Sequence, residues 1–308
     1  MTLAGKTAIV TGSGRGLGLA YARELARQGA SVVVNDVDAE AAASAVASIA
    51  ADGGRATAVV APVGSTETAD ALVAAALAEF GGLDILVTNA GLLRDKSLLK
   101  MTDDDFDAVI HVHLRGTFTC VRSAFRHFKE NDVAGRIVTI GSPTGQRGNF
   151  GQTNYAAAKA GIVGMTRTWA LEMARSKVTV NTVIPVAATA MTRTVPYFAK
   201  AVEAEDSGVP MPAFFRHELG FGTADDVAGL VAFLASDAAA GITGQAIGIG
   251  GDRIQLWSHP EAVLTAYHDG GWTADALELE LPTLLEGHIQ SVGEDFPELP
   301  EELRAATP

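Results

Sequence analysis

A tyrosine and a lysine four residues apart, with a serine thirteen residues before the tyrosine, could together move a proton at an alcohol. Ser142 follows a β-branched and apolar run, which places it at a strand end. Tyr155 and Lys159 open a helical segment, where residues four apart share one face. A phenol has a pKa near 10, and a neighbouring ammonium lowers it. We therefore predict that Tyr155 is the acid–base catalyst, that Lys159 lowers its pKa, and that Ser142 holds the substrate oxygen.

A glycine-rich loop near the N-terminus predicts a dinucleotide site. It lies between an apolar strand at 6–11 and a helix at about 17–28, and the next strand ends at Asp36. Glycines permit the tight turn and the close approach of a pyrophosphate, and the helix N-terminus attracts the phosphates. The cofactor-binding residues predicted from this unit are Gly12, Ser13, Arg15, Gly16, Leu17, Gly18 and Asp36.

Two charged residues bear on the choice of dinucleotide. A carboxylate at Asp36 accepts hydrogen bonds from the adenosine ribose and repels a 2′-phosphate, which favours NAD. Arg15, within the glycine loop, could instead meet a 2′-phosphate. Because the charge of Asp36 would face that phosphate directly, we predict NAD rather than NADP as the cofactor.

Composition and patterning predict an α/β protein. Strands and helices alternate as in a doubly wound parallel sheet, a Rossmann fold, over a single domain at 1–251. An acidic extension at 252–308 follows, with 12 acids and 2 bases. The net charge of −13 argues against nucleic-acid binding. No apolar run of membrane-spanning length occurs, and the single cysteine leaves no disulfide or cysteine-rich metal site, so we expect a cytoplasmic protein without a metal.

With these motifs in place, the chain resembles the short-chain dehydrogenase/reductase family over residues 1–251. The cofactor loop, the Ser-Tyr-Lys trio, Pro185 after the strand at 178–184, and the closing Gly250-Gly251 match the family in order and spacing. The resemblance adds Asn89, Ala90, Gly91 and Pro185 to the predicted cofactor site, together with Tyr155 and Lys159, of which Lys159 would hold the nicotinamide ribose. It also adds Thr189, at the nicotinamide, and Val63, beside a proline that stands where the family often has an adenine-contacting aspartate.

One departure from the family concerns a catalytic position. His113 stands where the family usually has an asparagine that positions a water between the lysine and solvent. The segments at 91–96, 111–116 and 148–155 are similar to the (3R)-hydroxyacyl-CoA dehydrogenase domain of peroxisomal multifunctional enzyme type 2 and to its bacterial hydroxysteroid and steroid side-chain relatives. Histidine also occurs at the asparagine position in that group. We predict a catalytic role for His113, with a core or capping histidine as the alternative.

The resemblance implies an NAD-dependent oxidoreductase that interconverts a secondary alcohol and a ketone. The predicted substrate is a 3-hydroxyacyl-CoA thioester, with a fatty or steroid side chain, or a hydroxysteroid. One alternative is an NADPH-dependent 3-oxoacyl-(acyl-carrier-protein) reductase, and a remote one is a cofactor-binding protein without turnover. Gln152 is a further candidate substrate contact, and a flap at about 191–222, rich in proline and aromatic residues, would cover an apolar pocket. The family also implies a homotetramer or homodimer through the helices at about 103–131 and 155–174.

Overall fold

The structure, a computed structural model, describes residues 2–187, 196–294 and 296–304. Its strands are β1 (Thr7–Thr11), β2 (Ser31–Asp36), β3 (Arg55–Val60), β4 (Ile85–Thr88), β5 (Arg136–Ile140), β6 (Thr179–Pro185), β7 (Ala246–Gly250) and β8 (Arg253–Trp257). Its α-helices are α1 (Gly16–Arg27), α2 (Ala39–Ala51), α3 (Thr66–Phe80), α4 (Asp103–Val109), α5 (Gly116–Glu130), α6 (Thr144–Arg147), α7 (Thr153–Glu172), α8 (Ala199–Asp206), α9 (Ala213–His217), α10 (Ala224–Leu234) and α11 (Ala274–Leu285).

The strands form one eight-stranded sheet in the order β3-β2-β1-β4-β5-β6-β7-β8. Strands β1 to β7 are parallel, and β8 pairs antiparallel with β7. The order reverses between β1 and β4, and the crevice at the carboxyl ends of strands at such a point is where doubly wound sheets bind ligands. The predicted α/β fold class is therefore confirmed, and the glycine loop lies at the reversal.

Both faces of the sheet are covered, which is why most of its strands read as continuous apolar runs. One buried cluster joins the sheet to α1, α2 and α10, and a second joins it to α3, α5 and α7. Among the described residues, none of the helices has both the length and the apolarity that crossing a membrane requires.

The helix predicted from about 103 to 131 is interrupted. Thr102 and Asp105 form a capping box at its start. Between α4 and α5, however, Ile110–Arg115 adopts π-helical geometry. Such a bulge re-aims the side chains that follow it and often accompanies functional sites. It carries His113, which is the buried residue of this segment.

The predicted flap and C-terminal extension contain more regular structure than their sequences indicated. Helices α8 and α9 lie within the flap, where Phe198, Phe215 and Phe221 form a separate buried cluster. Strand β8 extends the sheet past residue 251, so the sheet ends inside the segment predicted as an extension. Helix α11 has no residue buried within this chain.

Candidate active site

The predicted trio converges at the carboxyl end of β5. Helix α7 presents Tyr155 and Lys159 one turn apart, and the Lys159 Nζ lies 5.5 Å from the centroid of the Tyr155 ring. Ser142 follows β5, and its hydroxyl is hydrogen-bonded to the Tyr155 side chain. The Ser142 Oγ also accepts a bond of 3.2 Å from the backbone N–H of Thr144, which fixes the serine rotamer. A substrate oxygen placed here would meet two hydroxyl groups at once.

Burial controls the protonation of this trio. It lowers the pKa of Lys159 to about 7, and the Nζ donates a 2.7 Å bond to the Ile140 carbonyl. Burial also raises the pKa of Tyr155; the bond from Ser142 opposes that rise and the charge of Asp95 adds to it. Desolvation is thus the largest influence on the pKa of Tyr155 in the protein chain alone. That Lys159 lowers the pKa of Tyr155 stays a prediction.

His113 joins the trio. Its ring meets the Tyr155 ring edge-on, with centroids 5.2 Å apart, and only 4% of the residue is exposed. The Nε2 lies 2.8 Å from the Leu92 carbonyl oxygen and 3.1 Å from the Leu92 nitrogen. Burial, with the charge of Lys159, lowers the pKa of His113 to about 3, so the imidazole is neutral. Its buried Nδ1 has no hydrogen-bond partner among the described residues.

Gln152 lies beside the trio in a polar network. Its amide nitrogen donates to Asp95 at 2.8 Å, and its amide oxygen accepts from Asn149 at 3.0 Å and from Thr144 at 3.2 Å. These bonds hold the side chain in one orientation at the wall of the cavity that also contains Ser142. Asp95, which the sequence analysis did not assign, is thereby connected to the site.

The glycine loop has the close packing that a dinucleotide site requires. A Cβ at Gly18 would lie 2.1 Å from the Gly12 carbonyl oxygen, and one at Gly12 would lie 2.6 Å from the Ala90 Cα. Helix α1 begins directly after Arg15, and no side chain caps it, so its first N–H groups are available to an anion. The chain therefore fits the pyrophosphate of a nicotinamide dinucleotide at this loop.

Several predicted cofactor residues support the loop from within. The Ser13 hydroxyl donates to the Val10 carbonyl at 2.7 Å and accepts from the Asn35 nitrogen at 3.2 Å, so its bonds are used inside the protein. The Asn89 amide donates to the carbonyls of Thr11 and Gly12. Val63 is buried in the core that contains α3 and α5.

The charges at the end of β2 are arranged around Asp36. Its Oδ2 accepts a 3.0 Å bond from the Gly14 nitrogen, and its Oδ1 accepts one of 3.1 Å from the Asp38 nitrogen. Arg15, which could have met a 2′-phosphate, instead forms an ion pair with Asp38. A carboxylate therefore stands at the end of β2, and the neighbouring guanidinium is already paired.

A cavity of about 700 Å³ opens beside the trio. Residues from the cofactor loop, the end of β6, the flap and the C-terminal extension line it: Leu17, Ser142, Pro143, Thr144, Arg147, Asn149, Gln152, Pro185, Val186, Ala187, Phe198, Glu218, Leu219, Phe221, Arg253, Gln255, Trp257, Glu294, Phe296 and Pro297. Thr189 lies outside the described residues. The sequence analysis missed the six lining residues from Arg253 onward, since nothing in their pattern shows that the chain returns to the cavity.

Most of the basic side chains that could contact the phosphates of a coenzyme A thioester form other contacts. Lys96 pairs with Asp105, and Arg216 binds Asp226 and Asp252. Arg193 lies outside the described residues. Arg94 makes one bond, of 3.3 Å, to the neighbouring Leu93 carbonyl, and Arg147 lines the cavity. Because the Arg147 Nε also donates to the Gly293 carbonyl, Arg94 remains as the candidate contact for a substrate phosphate.

Comparison with known proteins assigns the chain to a family. The short chain dehydrogenase family model matches residues 6–198. A hydroxyacyl-CoA dehydrogenase of Mycobacterium tuberculosis is 41% identical over 92% of this chain and 90% of its own length. A 3-oxoacyl-[acyl-carrier-protein] reductase of Synechocystis is also 41% identical, over 82% of this chain and 99% of its own.

Two further comparisons support the same family. Peroxisomal multifunctional enzyme type 2 of Mus musculus is 44% identical over 62% of this chain, which corresponds to 27% of the mouse protein. The crystal structure of a short chain dehydrogenase from Mycobacterium avium superposes with a TM-score of 0.79 and 33% identity, covering 96% of this chain and 99% of that one. The chain therefore belongs to the short-chain dehydrogenase family and is an oxidoreductase of the kind that uses a nicotinamide cofactor, NAD or NADP.

Proposed function

We propose that the chain is an NAD-dependent dehydrogenase of 3-hydroxyacyl-CoA thioesters with a fatty or steroid side chain. The observation that carries the proposal is the position of Ser142 and Gln152 in one cavity with Leu17 of the cofactor loop and with Phe198 and Phe221 of the flap. An alcohol bound at Ser142, which is hydrogen-bonded to Tyr155, and an apolar acyl chain can then occupy one continuous space. The Mycobacterium tuberculosis relative named as a hydroxyacyl-CoA dehydrogenase supports this substrate class.

The proposed chemistry is reversible oxidation of a secondary alcohol. When bound, the cofactor supplies the hydride acceptor for the carbinol carbon. Ser142 orients the substrate oxygen, and Tyr155 takes the hydroxyl proton from it while giving up its own phenolic proton. Lys159 lies one helical turn from Tyr155 and holds its proton weakly, so it is suited to receive or return that proton. Neutral His113, whose Nδ1 is unpartnered among the described residues, would connect this step to a water, as proposed from the sequence.

NAD is the proposed cofactor because of the charges around the glycine loop. Asp36 ends β2 and faces the loop nitrogen of Gly14, where a 2′-phosphate would meet a carboxylate. The pairing of Arg15 with Asp38 reduces the attraction that Arg15 could offer to that phosphate. Gly12, Gly16 and the N-terminus of α1 would hold the pyrophosphate. The remaining contacts proposed for the cofactor are Asn89, Ala90, Gly91, Val63, Pro185 and Thr189.

A biosynthetic alternative retains one supporting observation. The Synechocystis relative is named as a 3-oxoacyl-[acyl-carrier-protein] reductase. Its sequence identity to this chain, 41%, equals that of the hydroxyacyl-CoA relative. Such an enzyme would use NADPH and would bind an acidic carrier protein. The net charge of −13 opposes binding of an acidic partner, and Asp36 opposes NADPH.

The decisive experiment measures oxidation of NADH and NADPH by the purified protein with 3-oxoacyl-CoA esters, ketosteroids and 3-oxoacyl-carrier protein. We expect NADH and the CoA esters to give the highest kcat/KM. Tyr155→Phe should lower kcat at least 100-fold while NADH still binds, because only the acid–base group is removed. Preference for NADPH and the carrier protein would establish the alternative instead. NADH binding without turnover of any ketone would indicate a non-catalytic protein.

The quaternary structure is a separate part of the proposal. The helices expected to form a homotetramer or homodimer expose Phe106 and Phe118 by 36% and 39%, and Leu171 by 80%. Burying such side chains between copies would remove apolar surface from water. Sedimentation equilibrium should give a tetramer or dimer, and a monomer at micromolar concentration would refute this part. The predicted cytoplasmic location stays a prediction.

A further inference from the structure

The C-terminal extension returns to the active-site cavity after α11, and its first anchor is Arg147 at the end of α6. The Gly293 nitrogen donates to the Arg147 carbonyl at 2.7 Å, and the Arg147 Nε donates to the Gly293 carbonyl at 2.6 Å. The Arg147 guanidinium also reaches Ser291 at 3.4 Å. We call residues 291–294 and 296–304 the returning segment.

Its second anchor is the aromatic cluster of the flap. The Tyr197 hydroxyl donates a 2.7 Å bond to the Pro297 carbonyl, and the Phe296 ring lies 5.2 Å from that of Tyr197. Leu299 and Leu303 then pack against the buried cluster that contains Phe198 and Phe221. The returning segment therefore spans the cavity from α6 to the flap.

Between its anchors, the returning segment contributes directly to the cavity wall. Glu294, Phe296 and Pro297 line the same space as Ser142 and Gln152. This places residues almost 150 positions apart in sequence around one cavity. A substrate chain entering from the trio would meet this wall.

The charges lining the cavity balance one another. Among the described residues, its charged side chains are Arg147, Arg253, Glu218 and Glu294, two positive and two negative. Glu294 lines the cavity but remains exposed to solvent. Partial desolvation raises the pKa of Glu294, while the charges on Arg253 and Arg147 oppose the rise. Arg253 also donates to the backbone carbonyls of Glu218 and Leu219, which orient it without cancelling its charge. Removing the Glu294 charge would leave the cavity with a net positive charge.

We propose that the returning segment is a specificity wall and that Glu294 selects substrates by charge. With Glu294 in place, the cavity accepts an acyl chain with an uncharged, apolar end and rejects one that ends in a carboxylate. Phe296 supplies apolar surface on the same wall. This inference rests on the proposed function, since it concerns the acyl part of the same substrate.

The test compares two 3-hydroxyacyl-CoA substrates of equal length, one ending in a methyl group and one in a carboxylate. We expect Glu294→Gln to raise the ratio of kcat/KM for the carboxylate over the methyl substrate at least tenfold, mainly through KM. The matched control is Glu298→Gln, because Glu298 is on the returning segment but is 95% exposed, near Arg304 and outside the cavity lining. Its ratio should equal that of the unmodified chain, and NADH binding and Tm should be the same for all three proteins.

A second measurement separates this inference from the proposed function. If no thioester is turned over, the proposed activity fails, and the Kd values of two saturated acyl-CoA esters with methyl or carboxylate ends are measured by calorimetry. A tenfold shift in the Kd ratio with Glu294→Gln alone would still support the charge-selecting wall. An unchanged ratio, an equal shift with Glu298→Gln, or no binding of either ester would overturn it.

Discussion

Lys159 and His113 are basic side chains that the fold buries on two sides of Tyr155. Burial lowers the pKa of Lys159 to about 7 and that of His113 to about 3. At neutral pH the histidine is therefore uncharged and the lysine changes its charge readily. A group that gains and loses a proton near the working pH can pass it to a neighbour with little free-energy cost. The site thus concentrates its proton-transfer capacity at Lys159.

This burial predicts how stability depends on pH. The unfolded pKa of lysine is about 10.4, so between pH 7 and 10 the unfolded chain binds more protons at Lys159 than the folded one does. Because the folded pKa is depressed in a base, stability from this residue rises with pH across that window, by about 1 kcal/mol per pH unit. Lys159→Met, which keeps an apolar stem of similar length, should remove this slope.

The measurement is urea unfolding of the protein chain at pH 7, 8 and 9. As a control, Lys100→Met replaces an exposed lysine and should keep the slope of the unmodified protein. Equal slopes for Lys159→Met and the unmodified chain would show that Lys159 is not desolvated. His113 does not interfere, because its own window lies below pH 6.5.

The sequence predicted the membership of the trio but not its protonation. Spacing along one helix face is local, and the strand before Ser142 is apolar, so both could be inferred without a structure. The pKa of Tyr155 depends on how completely α7 and β5 exclude water, which is a property of the tertiary packing. The effect of Lys159 on Tyr155 therefore depends on tertiary packing as well as on the spacing of the two residues.

At the scale of elements, the π-helical segment Ile110–Arg115 shows why His113 reaches the site. A continuous helix was predicted because propensity and capping signals change little through this region. What widens the helix is packing: the segment contacts α4, α5 and α7, and the His113 ring lies directly against Gly91. The contacts with α7 and Gly91 come from residues distant in sequence, and no local pattern predicts them.

The contact of His113 with Gly91 predicts a coupled pair. A Cβ at Gly91 would lie 2.3 Å from the His113 Cε1, so Gly91→Ala should displace the ring. Overpacking of this kind costs about 1–3 kcal/mol. The same change made together with His113→Ala should cost much less, because the obstructing ring is gone. A double-mutant cycle by denaturant unfolding would give a coupling energy of about 1 kcal/mol or more.

Gly82→Ala is the matched control for this cycle. Gly82 is also a loop glycine, and a Cβ there would meet nothing within 4 Å. It should be nearly neutral with either residue at position 113. Additive effects of Gly91→Ala and His113→Ala would mean that the histidine ring moves freely, which would also weaken its proposed role near Tyr155.

Strand β8 and the returning segment were the elements least accessible from the sequence. Strand β8 exposes Ile254 and Leu256 by 65% and 69%, so its apolar residues do not mark a buried face. The returning segment has little regular structure, and two anchors that are far away in sequence position it. Composition therefore indicated an acidic extension, while its contribution to the cavity depended on tertiary contacts.

At the scale of the whole molecule, Arg216 connects three parts of the fold. It lies on α9 in the flap, binds Asp226 on α10 at 3.0 Å, and binds Asp252 in the β7–β8 turn at 2.6 Å. The side chains of Arg216 and Asp226 are about three-quarters and four-fifths buried, and the bonds to each carboxylate are bidentate. The flap is thereby fixed to the sheet on the side of the cavity where the returning segment also attaches.

We therefore expect Arg216→Met to destabilise the protein by about 1–3 kcal/mol at pH 7, since the partly buried Asp226 carboxylate loses its partner, whereas the more exposed Asp252 adds little. Arg216 holds the pKa values of Asp226 and Asp252 below their usual range, although burial of Asp226 opposes this. A depressed carboxyl pKa gives stability that is present above the unfolded value near 3.9 and is lost as pH falls below it. The difference in the free energy of unfolding between Arg216→Met and the unmodified protein should accordingly shrink between pH 5 and 3.

Arg126→Met is the control, because Arg126 forms an exposed pair of 3.6 Å with Asp70. This substitution should lower the free energy of unfolding by less than about 1 kcal/mol. A similar loss for both variants would show that Arg216 does not fix the flap.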